Sequence, residues 1–354
     1  MRRLLACAAG AWVLLAAPAA LPCGAAFGPS INIDPKQDII LVWKDNLETY
    51  VFQPVFCGTS TDFGLILPVA ASLSQQPTLT EQQAFTTAAA LSEPHKRRVD
   101  QHSSVGCGPG STDSAGSKGA DNGTTVVASG RVGILDWVQL KADTVSDFTK
   151  WLTDNGYPYS STSSSVFSYY VEQGWYFLAF RISQEVAPDG QTICRALGPI
   201  KLSFPTAVPV IPSRMASAGS SPDGTYRQFA WRVFGITRGD AELGFAGGET
   251  VDRVRWYSGA ISATDAPSFA GLAEAGDRLT RLALTFYAYA TPESTPDVGL
   301  ALAPPRDYRG TEDVYVYDGS ACSLGWDRGS SHVALPLLAG VAIVGLLGWR
   351  RRRR

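Results

Sequence analysis

The alternation of apolar and polar residues is most regular within residues 126–216. The apolar, β-branched run at residues 132–140 predicts a strand. Apolar residues at helical spacing follow it, and Thr144 with Asp147 has the capping-box spacing, in which a hydroxyl and a carboxylate satisfy free backbone N–H groups. Asn155-Gly156 then supplies the left-handed residue that commonly ends a helix. A strand followed by a capped helix is therefore predicted.

The same stretch continues with a second helix and two strands. Residues 165–173 predict a short helix closed by Gly174, and the aromatic-rich run at residues 175–182 predicts a buried strand. Apolar residues alternate with Lys201 and Ser203 over residues 200–204, which predicts a strand with one solvated face.

Patterns on either side of this stretch predict further elements, most of them strands. Asp45-Asn46 separates two strand-like runs and predicts a hairpin, and Thr80 with Gln83 has capping-box spacing at the start of a helix. Asp265 is expected to cap a short helix that tolerates Pro267 in its first turn. The predicted ranges are a hairpin over residues 39–56, strands over 64–69, 226–236, 251–257, 278–289 and 314–317, and helices over 80–91 and 265–274.

These elements predict an α+β fold of mixed, mainly antiparallel sheets with a few packed helices, because strands outnumber helices and come in hairpin-like groups. About 300 residues between the terminal segments suffice for one large domain or two intimate ones. The expected organisation is a signal peptide at residues 1–20, an N-terminal α+β part at 21–216 with a flexible Gly/Ser/Thr-rich loop at 92–123, a C-terminal α+β part at 217–305, a stem at 306–332, a transmembrane helix at 333–349 and a basic end at 350–354.

Several stretches resemble a bacterial family known only as domain of unknown function 2330. The resemblance lies in WLTDNGY at residues 151–157 and VEQGWYFLAFRI at residues 171–182, and it extends to DFGLILPV, IKLSFP, RLTRL and TPE elsewhere in the chain. It therefore covers nearly the whole segment between the two termini. Because the family has no established activity, the resemblance implies no catalytic residues.

The N-terminus has the features of a secretory signal peptide. Met1-Arg2-Arg3 is a charged n-region, residues 4–17 are apolar, and Ala17-Pro18-Ala19 offers the small residues of a cleavage site. Lipidation at Cys23 is a weaker alternative, since Pro22 directly before the cysteine matches a lipidation box poorly. The chain is therefore predicted to be exported.

The C-terminus has the features of a membrane anchor. An apolar span begins at Val333 and ends at Trp349, near the lower length limit for crossing a bilayer, and a basic cluster runs from Arg350 to Arg354. The positive-inside rule holds such arginines in the cytoplasm, so the ectodomain is expected in the periplasm or on the cell surface. A buried C-terminal helix is the alternative, although such a helix rarely lacks a polar face over its full length.

The tail also resembles bacterial sorting signals of myxobacterial type, which combine a cysteine, an apolar span and an arginine cluster. Cys322 would occupy the cysteine position. The resemblance implies processing of the chain after this residue.

The charge balance argues against nucleic acid and anionic lipid as partners of the ectodomain. Seven of the 30 Lys and Arg residues lie in the terminal segments, so the remaining 23 face 32 Asp and Glu residues and the net charge there is −9. An acidic ectodomain offers no basic footprint for phosphate groups. The expected partners are the membrane, through the C-terminal helix, and an envelope protein or glycan.

The ectodomain retains four cysteines, which are Cys23, Cys57, Cys107 and Cys194. In an oxidising compartment they predict up to two disulfides, with three possible connectivities. Pairing of Cys57 with Cys107, and of Cys23 with Cys194, is the preferred expectation, and buried free thiols are the alternative. The sequence has no C-x-x-C spacing or Cys/His cluster, so no metal site is predicted.

The sequence lacks the motifs of common catalytic machinery. Its histidines, His95, His102 and His332, lie outside the regularly patterned segments. No G-x-S-x-G, H-E-x-x-H, P-loop or G-x-G-x-x-G pattern occurs, and no cofactor is predicted. A non-enzymatic role is therefore favoured.

Carboxylates leave one enzymatic alternative open, since glycoside hydrolysis needs two of them at a set separation. The candidates near Gly-rich turns are Asp240, Glu242, Glu249 and Asp252. Their simpler interpretation is that they are solvated loop residues. The sequence thus favours a membrane-anchored envelope or surface protein with a binding or structural ectodomain, and a carboxylate-dependent envelope hydrolase acting on glycans is the alternative.

Tryptophans present a second choice between structure and binding. They could stack on sugars, but each lies in a helix or strand pattern that needs core residues, so core packing is predicted. The residues concerned are Trp43, Trp137, Trp151, Trp175, Trp231 and Trp256.

Removal of the C-terminal segment tests the predicted anchor. Deleting residues 333–354 is expected to release the protein into the soluble fraction, because the apolar span would no longer hold it in the bilayer. The measurement is the distribution of the full-length and shortened chains between membrane pellet and supernatant. Retention of the shortened chain in the pellet would contradict the anchor.

Overall fold

The secondary structure is mostly β, with a few helices. The computed structural model describes residues 25–27, 36–59, 63–101, 123–157, 159, 163–183, 192–219, 227–288 and 297–317. The strands are β1 Ala25–Phe27, β2 Lys36–Lys44, β3 Leu47–Phe52, β4 Val55–Thr59, β5 Gly64–Val69, β6 Thr78–Leu79, β7 His95–Gln101, β8 Thr124–Val132, β9 Leu135–Ala142, β10 Tyr176–Ile182, β11 Thr192–Ala196, β12 Ile200–Pro205, β13 Val210–Ile211, β14 Arg227–Thr237, β15 Glu242–Phe245, β16 Arg253–Ala260, β17 Arg278–Ala288, β18 Val298–Ala303, β19 Tyr308–Arg309 and β20 Thr311–Tyr317. The helices are α1 Gln83–Leu91, α2 Val145–Asp154, α3 Ser164–Glu172 and the 3₁₀-helices Ser213–Gly219 and Ala266–Phe269. The prediction of mixed and antiparallel sheets with a few helices is confirmed, whereas the predicted transmembrane helix at residues 333–349 lies outside the described residues.

The larger sheet has eight strands in the order β19-β16-β17-β14-β2-β3-β12-β6. Its neighbouring strands are antiparallel except for β14 and β2, which run parallel, so the sheet is mixed. The predicted β2–β3 hairpin is confirmed, and it turns at Asp45 and Asn46, whose φ angles of 55° and 59° lie in the left-handed region that short polar residues tolerate. Strands from both sides of the expected division at residue 217 share this sheet, and therefore one hydrogen-bonded framework.

The smaller sheet has five antiparallel strands in the order β1-β5-β10-β9-β8. Its β8–β9 hairpin turns at Gly133, where a φ of 57° favours glycine. The predicted strand at residues 132–140 is wrong at its start, because Val132 ends β8 and β9 begins only at Leu135. The strands predicted at the positions of β5 and β10 are confirmed.

The main hydrophobic core lies between the two sheets. Leu178 and Phe180 of β10 face this core, whereas Phe177 and Ala179 belong to a second cluster on the other side of the strand. Phe52 of the larger sheet meets Phe180 of the smaller one edge-on, with ring centroids 6.2 Å apart. The alternation of side chains along a strand thus gives β10 two buried faces.

Helices cover the outer face of each sheet. Phe148 of α2 stacks on Phe177 of β10 at 4.0 Å between centroids, and Phe167 of α3 meets Phe148 edge-on. On the far side, Phe85 of α1 and Phe269 pack against the larger sheet. The described residues therefore form four layers, in the order helices, small sheet, large sheet, helices.

Helix α2 forms as its sequence predicts. Thr144 Oγ1 accepts a hydrogen bond from Asp147 N at 3.2 Å and donates to Asp147 Oδ2 at 2.6 Å. At the other end Gly156 has a φ of 73°, and the N–H groups of Gly156 and Tyr157 return to carbonyls of the last turn. This is a Schellman motif, which satisfies carbonyls that the helix itself leaves free.

The capping predictions for α1 and for the 3₁₀-helix Ala266–Phe269 are wrong. Helix α1 begins at Gln83 without a side-chain capping hydrogen bond, so the expected capping box does not form. Thr80 lies beside β6 instead, and its N–H donates to Pro199 O at 2.9 Å. Asp265 precedes the 3₁₀-helix Ala266–Phe269 but makes no side-chain capping bond, and this helix is shorter than predicted.

The predicted loop and the predicted stem each contribute one strand of a pair. β7 lies within the predicted loop and β20 within the predicted stem, and the two run parallel. Arg97 donates two hydrogen bonds to Asp313 across this pair, both at 2.7 Å. The loop prediction is wrong at β7, because a partner far along the chain supplies its backbone hydrogen bonds. The strand predicted over residues 314–317 is confirmed, and it begins earlier, at Thr311. Residues 102–122 and 318–332 lie outside the described residues.

Smaller sheets complete the fold. β13, β18 and β15 form a three-stranded sheet, and β4 with β11 forms a two-stranded ribbon. β18, whose sequence is VGLALA, was not predicted. The predicted solvated face of β12 is wrong at Ser203, which is buried and shares a 2.8 Å hydrogen bond with Thr49 Oγ1.

Candidate functional site

The predicted site residues fall into described and undescribed groups. Cys57 lies in β4 and Cys194 in β11, and the two are Cα partners in the antiparallel register. The remaining candidates lie outside the described residues and are Cys23, Cys107, Cys322, Val333, Trp349, Arg350 and Arg354. The expected pairings of Cys57 with Cys107 and of Cys23 with Cys194 therefore stay predictions.

The four candidate carboxylates do not share one environment. Asp240, Glu249 and Asp252 are exposed, in keeping with loop positions. Glu242 is only 1 % exposed, since it opens strand β15 and points into the protein. The interpretation of Glu242 as a solvated loop residue is therefore wrong.

Both carboxylate oxygens of Glu242 are occupied by neighbours from other elements. Arg255 of β16 donates from Nη1 to Oε1, and Ser258 of the same strand donates to Oε2 at 2.7 Å. The backbone N–H of Arg306, after β18, also donates to Oε2, at 2.9 Å. Three donors from two different parts of the chain therefore hold this buried carboxylate in place.

The contacts of Glu242 extend into a network that reaches the surface. Arg255 approaches Glu249 with Nε 3.5 Å from Oε1, and its guanidinium lies 5.2 Å from the ring centroid of Tyr308. Arg278 donates to Ser258 Oγ and to Asp307 Oδ1, both at 3.0 Å. We call these residues the Glu242 network: Glu242, Glu249, Arg255, Ser258, Arg278 and Asp307.

The Glu242 network does not have the arrangement of a glycosidase pair. Glycosidic hydrolysis requires one carboxyl group that delivers a proton and a second that attacks or activates water. Here one guanidinium bridges Glu242 and Glu249, and Ser258 with a backbone N–H takes the second oxygen of Glu242. The network instead ties β15 to β16 and to the chain after β18.

A second charged cluster lies on the helix-covered face of the larger sheet. Arg232 of β14 donates to both oxygens of Asp38 on the parallel neighbour β2, at 2.7 and 2.5 Å. Arg281 of β17 is buried beside them, and burial, followed by the charge of Arg232, lowers its pKa. The negative charge of Glu312, itself buried in β20, opposes this shift.

Sequence patterns did not single out this second cluster. Arg232 lies within the apolar run FAWRVF, and Asp38 directly precedes the apolar run IILVW. A charged residue within or beside a predicted core strand was the only sequence signal that could have indicated this cluster. Within the cluster Arg232 is paired with Asp38, which is the usual requirement for burying a charge.

Tyr170 of α3 and Asp297 form a buried polar contact that the sequence did not indicate. The tyrosine hydroxyl donates to Asp297 Oδ1 at 2.7 Å, and Arg214 N donates to the same oxygen at 2.9 Å. Burial raises the pKa of Asp297. The contact links the outer helices to the start of β18.

Glu48 is the most unusual titratable residue in the described part of the chain. It lies in β3 with no solvent exposure, and burial raises its pKa to about 8. Val210 N donates to Oε2 at 3.0 Å, while Oε1 has no hydrogen-bond partner among the described residues. Glu48 is therefore predominantly protonated at neutral pH.

The tryptophans pack as predicted and form no exposed platform in the described residues. Trp137, Trp231 and Trp256 are buried. Trp43, Trp151 and Trp175 are partly buried and pack against the hydrophobic cores. This use of the rings removes the main argument for a glycan-stacking surface.

Strand β8 presents the open edge of the smaller sheet. It is the terminal strand of that sheet, and no other described strand pairs with its outer side. Its exposed side chains include Val126 and Val127, which are 51 % and 43 % exposed, and the register shifts by one residue between Val126 and Ala128. Arg131 is paired with Asp136 of β9 at 2.9 Å, so the strand carries little unpaired charge.

The described residues contain neither a cluster of metal-ligating side chains nor a helix suited to crossing a membrane. No group of three or more His, Cys, Asp or Glu side chains there has the proximity needed to hold a metal ion. Within the same residues, no helix combines the length and apolar character needed to cross a bilayer.

Comparison with known proteins identifies one family. The model of a family described as an uncharacterized protein conserved in bacteria, DUF2330, matches residues 17–298. No curated protein matches the chain, and no solved structure matches it.

Glu242 and Glu249 both contact the guanidinium of Arg255, but their substitution should affect stability very differently. Glu242→Gln should lower the free energy of unfolding by about 3 kcal/mol, because it leaves a largely buried guanidinium without its main counter-charge. Glu249→Gln is the matched control and should change it by less than about 1 kcal/mol, since Glu249 is half exposed. Urea denaturation measures both, and equal losses would contradict a structural role for Glu242.

Glu48 should make the folded protein less stable as the pH rises. Burial raises its pKa from the ordinary value of 4.5, which applies in the unfolded chain, to about 8 in the folded chain. Its contribution to stability is therefore fully present below pH 4.5 and is lost as the pH rises through 8. The wild-type free energy of unfolding should therefore fall across this window by up to about 1.4 kcal/mol per pH unit relative to Glu48→Gln.

Denaturant unfolding of both proteins at several pH values between 5 and 9 measures this difference. Glu249→Gln serves as the control and should keep the wild-type slope, since Glu249 is exposed. Parallel curves for the wild type and Glu48→Gln would show that Glu48 does not titrate in this window.

Proposed function

The chain belongs to the uncharacterised bacterial family DUF2330, and from this starting point we propose that it is an exported, membrane-anchored envelope or cell-surface protein whose ectodomain binds another envelope protein. The open edge of strand β8 is the observation that carries the binding function. The proposed role is recognition, without chemistry of its own.

The terminal segments support export and anchoring. A charged and then apolar N-terminus is the pattern that secretion machinery recognises, and the apolar span closed by Arg350 to Arg354 suits a bilayer anchor with its basic end in the cytoplasm. With this topology, the segment between the termini faces the periplasm or the outside of the cell.

The edge of β8 suits an extended peptide segment as its ligand. Nine residues of strand span about 30 Å, and the outer N–H and C=O groups of an edge strand can pair with a further strand. β8 contains neither proline nor lysine, two residues that commonly protect such edges. The bulge at Val127 interrupts the regular pairing of β8 with β9 between Val126 and Ala128.

The charge of the ectodomain favours a different protein over a second copy. Two copies would each carry a net charge of about −9 outside the terminal segments and would repel one another. A neutral or basic extended segment of an envelope protein avoids this repulsion. It would add a sixth strand to the smaller sheet.

The hydrolase alternative has weaker support. Glu242 and Glu249 share one guanidinium, so neither is placed to deliver a proton to a leaving group. The tryptophans that could stack on sugars pack in the cores instead. A protein ligand is therefore the preferred partner.

Site-specific photo-crosslinking in the native envelope tests this function. A photoreactive residue at position 127 of the full-length chain should capture an extended segment of another envelope protein, identified by mass spectrometry of the cross-linked peptides. Val126→Lys should reduce this product several-fold, because a charge on the exposed edge opposes strand addition.

Val251 provides the control position, since it is 84 % exposed and lies outside β8. A photoreactive residue there should not capture the same segment, and Val251→Lys should leave capture at position 127 unchanged. Capture at position 127 of only a second copy of this chain, of lipid or of glycan would overturn the proposal.

A further inference from the structure

The ribbon of β4 and β11 extends the hydrogen-bonded ladder away from the core. Inside the larger sheet, Phe52 of β3 pairs with Ile200 of β12. The N–H of Leu197 then donates to Pro54 O at 2.8 Å. Beyond this bond the two segments continue as the strands of the ribbon. The register of the ribbon is therefore set at the end nearest the core. The paired positions are Val55 with Ala196, Phe56 with Arg195, Cys57 with Cys194, Gly58 with Ile193 and Thr59 with Thr192.

Cys57 and Cys194 occupy the middle position of this ribbon. Two register pairs lie on either side of them, so a one-residue slip would have to displace the whole ladder. Directly opposite residues in an antiparallel pair have Cα atoms about 4.5 to 5.5 Å apart. Disulfides need Cα separations of about 4.4 to 6.8 Å, and the two distance ranges overlap.

We infer that Cys57 and Cys194 form an intramolecular disulfide that joins β4 to β11. This pairing differs from the pairings expected from the sequence alone, Cys57 with Cys107 and Cys23 with Cys194. The backbone register, which the sequence alone does not reveal, places Cys57 opposite Cys194 and favours this third pairing.

The bond forms by thiol–disulfide exchange with a disulfide-bearing oxidant, such as a periplasmic oxidoreductase or oxidised glutathione. The thiolate of one cysteine attacks a sulfur of the oxidant and releases one of its thiols. The second cysteine thiolate then attacks the mixed disulfide and releases the other. Both protein thiols lose their protons, the protein is oxidised by two electrons and the oxidant is reduced to two thiols.

A disulfide would stabilise the pairing of β4 with β11 in this ribbon. A two-stranded pair is marginal in water on its own, and only the core end of this ribbon continues into a larger sheet. The two cysteines are also far apart in sequence, so their bond constrains a long segment of the unfolded chain.

Peptide mapping of the full chain tests the inference. The protein is taken from its native envelope in the presence of an alkylating agent and without reductant, and is then digested. Mass spectrometry should find one peptide pair joined through Cys57 and Cys194, which separates after reduction. Alkylation of either residue, or its linkage to Cys23 or Cys107, would overturn the inference.

Serine variants provide an independent readout. Cys57→Ser, Cys194→Ser and the double variant should each lower Tm by about 5–10 °C, with equal shifts because all three lack the same bond. Cys23→Ser is the control, and it should retain the Cys57–Cys194 peptide pair. Additive shifts in the double variant would overturn the inference, and if the serine variants fail to accumulate, the wild-type peptide map decides.

Discussion

The fold depends on one strand whose two faces are both buried. Residues Phe177 to Phe180 of β10 have no solvent exposure, since one face meets the larger sheet and the other meets α2 and α3. Full burial of a Phe or Leu side chain stabilises a protein by roughly 1.5–3 kcal/mol. A one-residue slip of β10 would exchange its two faces, so this burial fixes the register of the smaller sheet.

The same dense packing constrains where charges can lie. Arg232 and Arg281 lie on the helix-covered face of the larger sheet. Asp38 and Glu312 supply negative charge beside them. Glu242 is likewise surrounded by donors. Within the part of the chain that the structure describes, Glu48 has no such counter-charge. Burial instead raises its pKa, so that its side chain is neutral near neutral pH. Buried ionisable groups here therefore serve the architecture, which weakens their claim to catalysis.

Local signals were predictable from the sequence, and long-range pairings were not. The α2 cap at Thr144 and the turn at Asp45-Asn46 are set by neighbouring residues, and both form as expected. Strand β7 lies in a segment without regular apolar alternation, and its parallel pairing with β20 joins segments that are far apart in the sequence. Burial of Glu242 depends on Arg255 and Ser258, which sequence spacing cannot bring together. The opposition of Cys57 and Cys194 has the same origin, since it follows from the pairing of β3 with β12.

The rigidity of the smaller sheet also bears on how its edge would bind. β9 is held against β10, and β8 is held against β9 in a defined register with one bulge. An edge that is already ordered loses little conformational entropy when a further strand pairs with it, so more of the interaction free energy remains as affinity. The ligand itself must become ordered, and each fixed backbone residue costs roughly 1–2 kcal/mol. Selectivity would then rest on side chains beside Val126 and Val127, because backbone pairing alone distinguishes sequences poorly.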